Sequence, residues 1–200
     1  MGIALINALN QRTAATLPQD SRDGTFMGHF GIAEGSRVSM VGFFPPIAAR
    51  LEAAGVEVSV LDRDLSMGHE GDFLRRLSWW PEVLILTATT ILNASFELFL
   101  DHTHRNVRTL VLGPTTPMVP EAYEGFRVAM LGGMVPLDNE RVTAAVRQAA
   151  LTPAISRYCR KIFWARREQE RLARFRAPES DAERPVNPML ERSTIAPGAV

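Results

Sequence analysis

Between residues 37 and 150 the chain alternates short runs of Val, Ile and Leu with stretches of helical spacing, and few folds accept that rhythm. The apolar runs fall at 38–42, 56–61, 83–87, 109–112 and 128–131. Each is too short for a helix, and 83–87, 109–112 and 128–131 are continuous rather than alternating, as a strand reads when both faces of its sheet are covered. Helices are expected at 47–54, 73–77, 92–101 and 139–150, the first closed by Gly55 because a chain leaving a helix through the left-handed region favours glycine. The pattern predicts a doubly wound α/β fold, a mainly parallel sheet with helices on both faces.

The flanks carry less periodicity. Residues 1–35 are expected to form an N-terminal helix and loop: Ile3, Ala4, Ile6, Ala8 and Leu9 open the chain with Asn7 and Asn10 among them, and the glycine-rich stretch 11–35 reads as a loop. Residues 36–152 make the α/β domain. In 153–176, Ile155, Tyr158, Ile162, Ala165 and Leu172 fall at three- and four-residue spacing, which predicts a basic amphipathic C-terminal helix packed on the body or on another subunit. Four prolines among polar residues in 177–200 predict a disordered tail.

Apolar residues are 46% of the 200, enough for one domain core. Charged residues interrupt every long apolar run, so no membrane span is expected. The opening residues lack the basic start of a secretory signal, which points to a cytoplasmic protein. Net charge is zero, yet residues 1–152 hold 12 basic and 16 acidic side chains while 153–200 hold 10 and 6. The basic helix either meets an anionic partner or docks on its own acidic body; nucleic acid is not among the expected partners. The single Cys159 can form no intramolecular disulfide and no thiolate metal site by itself.

Candidate site residues gather where the apolar runs end. Val83-Leu84-Ile85-Leu86 empties into Thr87-Ala88-Thr89-Thr90, with Asn93 one turn on; these residues either cap the next helix or offer hydroxyls and N–H groups to an anionic ligand. Leu110-Val111-Leu112 stops at Gly113-Pro114-Thr115-Thr116-Pro117, hydroxyls held between prolines in a stiff loop. Gly42-Phe43-Phe44-Pro45-Pro46 lacks the glycine spacing of a dinucleotide binder, leaving Phe43 and Phe44 to pack in the core or to wall a pocket for a flat ligand. Asp62, at the end of the second strand, stands where an acidic residue often receives ribose hydroxyls, or in a plain surface turn. Gly133, after Gly132 at the end of the fifth strand, permits close approach by a ligand or another loop. Asp138 reads as an N-cap ahead of Asn139. His69, Glu70 and Asp72 offer mixed ligands to a divalent ion or form a charged loop, and His102 and His104 read as partners of a helix C-terminus. No nucleophile elbow, phosphate loop or zinc helix is present.

In that order Gly42-Phe43-Phe44-Pro45, Thr87-Ala88-Thr89-Thr90-Ile91-Leu92-Asn93, Gly113 to Pro120 and Gly132 to Asp138 resemble the heavy-metal chelation domain family, over residues 3 to 150. The resemblance implies a Rossmann-like domain, usually preceded by a smaller α/β domain, with a cleft for a small molecule or metal. Gly2 to Leu9 looks like the family's interdomain stretch, so the preceding domain is expected to be missing. The chain departs from the family pattern at Phe43, often His there, at Ala88, usually Gly, and at Ala94-Ser95, usually Gly-Thr. The missing imidazole removes one metal ligand.

The function expected is binding of a small molecule or metal complex at the C-terminal strand ends, its cofactor a metal ion or an anionic small molecule. An enzyme of small-molecule or metallophore metabolism using the same crevice is the alternative. So is a partner-dependent subunit, either a homo-oligomer or a chain docked on a partner that carries the missing domain.

Overall fold

Six strands form one sheet in the order β2-β1-β3-β4-β5-β6. The computed structural model describes residues 2–20, 24–150 and 152–166. Strands β1 (Arg37–Val41), β2 (Glu57–Leu61), β3 (Val83–Thr87), β4 (Arg108–Leu112) and β5 (Val128–Pro136) run parallel, and β6 (Cys159–Ala165) pairs antiparallel with β5. The fold is thus the α/β class that the continuous apolar runs predict.

The crossovers divide the helices between two faces. The crossover from β1 to β2 carries α3 (Pro45–Ala53), and those from β2 to β3 and β3 to β4 carry α4 (Glu70–Leu77), then α5 (Thr89–Leu92) with α6 (Phe96–His102). Right-handed connections place a crossover on one face when the chain moves one way along the sheet and on the other when it reverses. The two buried clusters follow that rule. Ile47 and Leu51 of α3 join Val38, Met40, Val83, Ile85 and Leu110. Phe73, Leu77, Phe96, Phe99 and Leu100 pack against Val41, Leu84, Leu86 and Val111 on the other side. Leu84 and Leu86 are fully buried, each contributing about 1.5–3 kcal/mol.

Several expectations need correction. Residues 11–35 are not all loop: α1 runs Gly2–Ala14, and α2 (Thr25–Phe30) buries Phe26 and Phe30 in the cluster on the α3 face of the sheet before Gly31 closes it at φ +63°. The expected helix at 92–101 is two helices. Ala94 sits at φ +57°, and the Asn93 carboxamide oxygen accepts from both the N–H (3.2 Å) and the hydroxyl (2.7 Å) of Ser95, a local bonding pattern that competes with helix. Strand β5 runs on through Gly132 and Gly133, so these glycines lie inside a strand rather than at its end.

The largest correction concerns the basic helix expected at 153–176. Of its described residues, those of α8 (Thr152–Ser156), which follows α7 (Asn139–Arg147), and Arg166 are helical, but between them the chain forms β6. The spacing of Ile155, Tyr158, Ile162 and Ala165 mimics a helix face. Ile162 and Trp164 nevertheless join one core cluster while Phe163 and Ala165 join the other, the alternation of a strand buried on both sides. Pairing with β5 from Pro136 to Met130 outweighs the local helical spacing. The remainder of that segment and the tail at 177–200 lie outside the described residues.

Phe163 is 7% exposed, although a helix would have left it off the apolar face. Phe163→Ala should cost about 3–5 kcal/mol in equilibrium urea unfolding. A loss below about 1 kcal/mol, usual for an open surface position, would contradict the strand.

Candidate functional site at the strand ends

β1 and β3 lie side by side, but the chain leaves them in opposite directions along the sheet. Such a reversal opens a crevice beyond the C-terminal ends of the two strands, because neither crossover covers it. Gly42 forms its floor. Its φ is +82°, and a Cβ there would lie 2.8 Å from Thr87 Cγ2, so both the backbone and its neighbour exclude a side chain.

The crevice encloses about 140 Å³ and is lined by Gly42, Asp62, Thr87, Thr89, Thr90 and Asn93, all singled out in the sequence. Their hydrogen bonds separate their roles. Thr90 is 1% exposed and its hydroxyl donates to the Thr87 carbonyl at 2.7 Å, while Asn93 is taken by Ser95; both shape the turn. The Thr87 and Thr89 hydroxyl oxygens are 3.1 Å apart. One proton serves their mutual bond, which leaves the second hydroxyl proton and unused lone pairs for a ligand.

Asp62 braces the same place. Its carboxylate accepts from Phe43 N–H at 2.7 Å and Leu65 N–H at 3.0 Å, tying the exit of β1 to the exit of β2. Burial pushes this carboxyl up, but the N–H groups of Phe43, Leu65 and Asp64 together outweigh it and hold it below its ordinary 3.8. Of the two readings of this position, the turn accounts for both backbone bonds, and a ribose would have to share the carboxylate with them.

The other predicted residues divide. Phe43, Phe44, Gly113, Pro114 and Gly133 line a second, larger cavity of about 420 Å³. Thr116 is 2% exposed and donates to the Gly113 carbonyl at 2.9 Å, a structural turn. Thr115 is fixed through its carbonyl, which accepts from the Asn7 amide at 3.0 Å. Asp138 caps α7 by accepting from Arg141 N–H at 2.9 Å and borders neither cavity. Gly133 makes room for a loop: a Cβ there would meet Met118 Sδ at 2.7 Å.

Sequence reading missed Phe26, Met134, Ser156 and Lys161, which complete the larger cavity. The signal for Lys161 was the continuous apolar run Ile162 to Ala165 directly after it, the mark of a strand buried on both faces. For Phe26 it was a short apolar stretch closed by Gly31.

The donors for a heavy metal do not assemble. Among the described residues no three His, Cys, Asp or Glu side chains are grouped to hold an ion. Glu70 is held by both Arg63 nitrogens at 2.8 and 2.9 Å, and Asp72 pairs with Arg75 and approaches His69 at 3.4 Å. The His102 ring donates to the Leu98 carbonyl at 2.8 Å near the end of α6, while His104, beyond that helix, accepts from Asn106 N–H in the turn that follows. Soft metals select thiolate or imidazole ligands, and burial pushes the thiol of Cys159 up, away from the thiolate form. The described side chains do not fit a protein-built chelate.

A family model described as "Putative heavy-metal chelation", DUF364, matches residues 25–165. Two solved structures of DUF364 proteins of unknown function share the fold. One, from Pyrococcus horikoshii, is 19% identical with a TM-score of 0.66, over 82% of this chain and 67% of that one. The other, from Desulfitobacterium hafniense DCB-2, is 21% identical with a TM-score of 0.65, over 82% and 66%. The chain spans about two thirds of the length of each. A search of curated proteins returns no match.

The stabilisation by the Asp62 carboxylate is complete above its unfolded pKa and is lost as pH falls through the lower folded value. Asp62→Asn should therefore destabilise by about 1 kcal/mol at neutral pH, allowing for solvent screening of a half-buried group. Urea midpoints should converge with those of the wild type as pH drops below 3.8. A gap independent of pH would show that the carboxylate charge plays no part.

Proposed function

The chain belongs to this family, and from that premise we propose that it is a small-molecule-binding domain holding its ligand at the C-terminal ends of β1, β3, β4 and β5. The observation that carries the reading is the coincidence of the strand-order reversal with the paired hydroxyls of Thr87 and Thr89. A cavity of about 420 Å³, within the size range of small-molecule sites, borders the same strand ends. A metal fits this reading when it arrives as a complex, its donors supplied by the organic ligand, since the described side chains gather no set of three.

A second reading, docking on a partner chain, has one observation in its favour. Leu5, Ile6 and Leu9 of α1 are 61%, 42% and 75% exposed, neighbouring apolar side chains that a partner chain would cover.

Native mass spectrometry of freshly purified protein, with elemental analysis of the same sample, should show one organic molecule per chain. Titration of that molecule into the stripped chain should show Thr89→Ala weakening binding by about 1 kcal/mol, the worth of one hydrogen bond. The exposed Thr89 hydroxyl bonds only to its neighbour Thr87, so the folded state should hardly notice the change. A purified chain that carries nothing would contradict the proposal.

A further inference from the structure

We propose that the 420 Å³ cavity receives a flat, largely apolar organic molecule, aromatic in character and without phosphate. The inference rests on the reading of a ligand at the strand ends and deepens it by naming the class of the ligand's body, which this cavity holds beside the crevice of Thr87 and Thr89.

The cavity follows from the topology. Only one crossover between parallel strands, α3, lies on its face, so β4, β5 and β6 there are covered by α2 and α8 instead. Between these pieces a gap remains. Leu112 and Met134 form its floor, Phe26, Phe43 and Phe44 its walls, and Pro114 one edge. The floor is low because Gly132 has no side chain: a Cβ would fall 2.5 Å from Leu112 Cδ1, which lies across the strand instead. Three aromatic rings around an apolar floor favour a flat partner that can stack or meet them edge-on.

A nucleotide finds few donors here. In a dinucleotide-binding sheet the N–H groups at the start of the helix after β1 hold the phosphates. Here α3 begins with Pro45 and Pro46, which have no N–H, and the N–H groups of Ile47 and Ala48 both donate to the Phe44 carbonyl. Phe43 N–H is held by Asp62, Gly42 N–H by the Leu61 carbonyl and Gly113 N–H by the Gly132 carbonyl. The lining also carries one carboxylate and one ammonium, Asp20 and Lys161, a mixed pair that does not select a polyanion. Ser156 and Thr152 add neutral hydroxyls to the lining, the Ser156 proton already donated to the Pro153 carbonyl at 3.1 Å.

The test uses a neutral fluorescent naphthalene, 6-propionyl-2-(dimethylamino)naphthalene, with ADP as the phosphorylated comparison. One probe should bind per chain with blue-shifted emission, while ADP should neither bind nor displace it. Ser156→Trp, which fills the cavity from α8, should weaken the probe more than about tenfold. Leu5→Ser, on the exposed face of α1, should leave it unchanged. If Ser156→Trp does not fold, Thr152→Trp enters from an exposed position of the same helix. Probe binding indifferent to both fillings overturns the inference. ADP binding that Ser156→Trp abolishes overturns the ligand class while leaving a ligand at the strand ends. A copurified molecule released by Thr89→Ala, with no probe bound, sinks this inference alone; a chain binding neither at the strand ends sinks both.

Discussion

The exit of β1 over the end of β3 is the constraint on which the rest of the architecture depends. Gly42 can turn there because it has no Cβ to strike Thr87 and tolerates φ +82°. Asp62 then fastens the turn to the end of β2 through Phe43 N–H. These contacts let β1 sit between β2 and β3 while the chain runs away from it on both sides. One reversal in strand order thereby opens the crevice and sends α3 to one face of the sheet and α4 to α6 to the other.

That division of helices is uneven, and the unevenness locates the larger cavity. The face that carries α4 and α6 is sealed by Phe73, Phe96 and Phe99, with Met118 and Tyr123 of the β4–β5 connection completing it. The opposite face relies on α3 and the short α2, with α8 beside β6. Short helices cover less sheet, so apolar surface at the ends of β4 and β5 is left facing a cavity rather than a packed neighbour. The same geometry separates the polar crevice at Thr87 and Thr89 from the aromatic cavity at Phe43 and Phe44.

Much of this was legible in residues whose local and tertiary preferences agree. Val83–Thr87 and its parallel neighbours read as strands because burial on both faces writes an unbroken apolar run. Strand β6 was not legible, because Ile155, Tyr158, Ile162 and Ala165 satisfy helical spacing while their real constraint is pairing with β5, far off in sequence. The break at Ala94 hid for a related reason: apolar spacing continues across it, and only the bonding of Asn93 to Ser95 shows that the helix stops. At the site, the types of residue were readable but their roles were not. Thr116 and Thr90 are hydroxyls like Thr87 and Thr89, yet their protons go to the Gly113 and Thr87 carbonyls, and no sequence pattern marks that difference. Nor does sequence reveal that Phe43 and Gly42, adjacent in the chain, serve different cavities.

In the function proposed for this domain a metal arrives inside an organic ligand, because no three described His, Cys, Asp or Glu side chains are grouped to hold an ion. A ligand held at the strand ends, as proposed, should protect the amides around it, which amide hydrogen exchange read by mass spectrometry detects. The comparison is between freshly purified chain and chain stripped of small molecules by unfolding and refolding. Faster exchange after stripping is expected around Gly42 to Ala48, Thr87 to Asn93 and Gly113 to Met118, with the strand interiors unchanged. Equal exchange in those three segments, or a difference confined to α1, would contradict it.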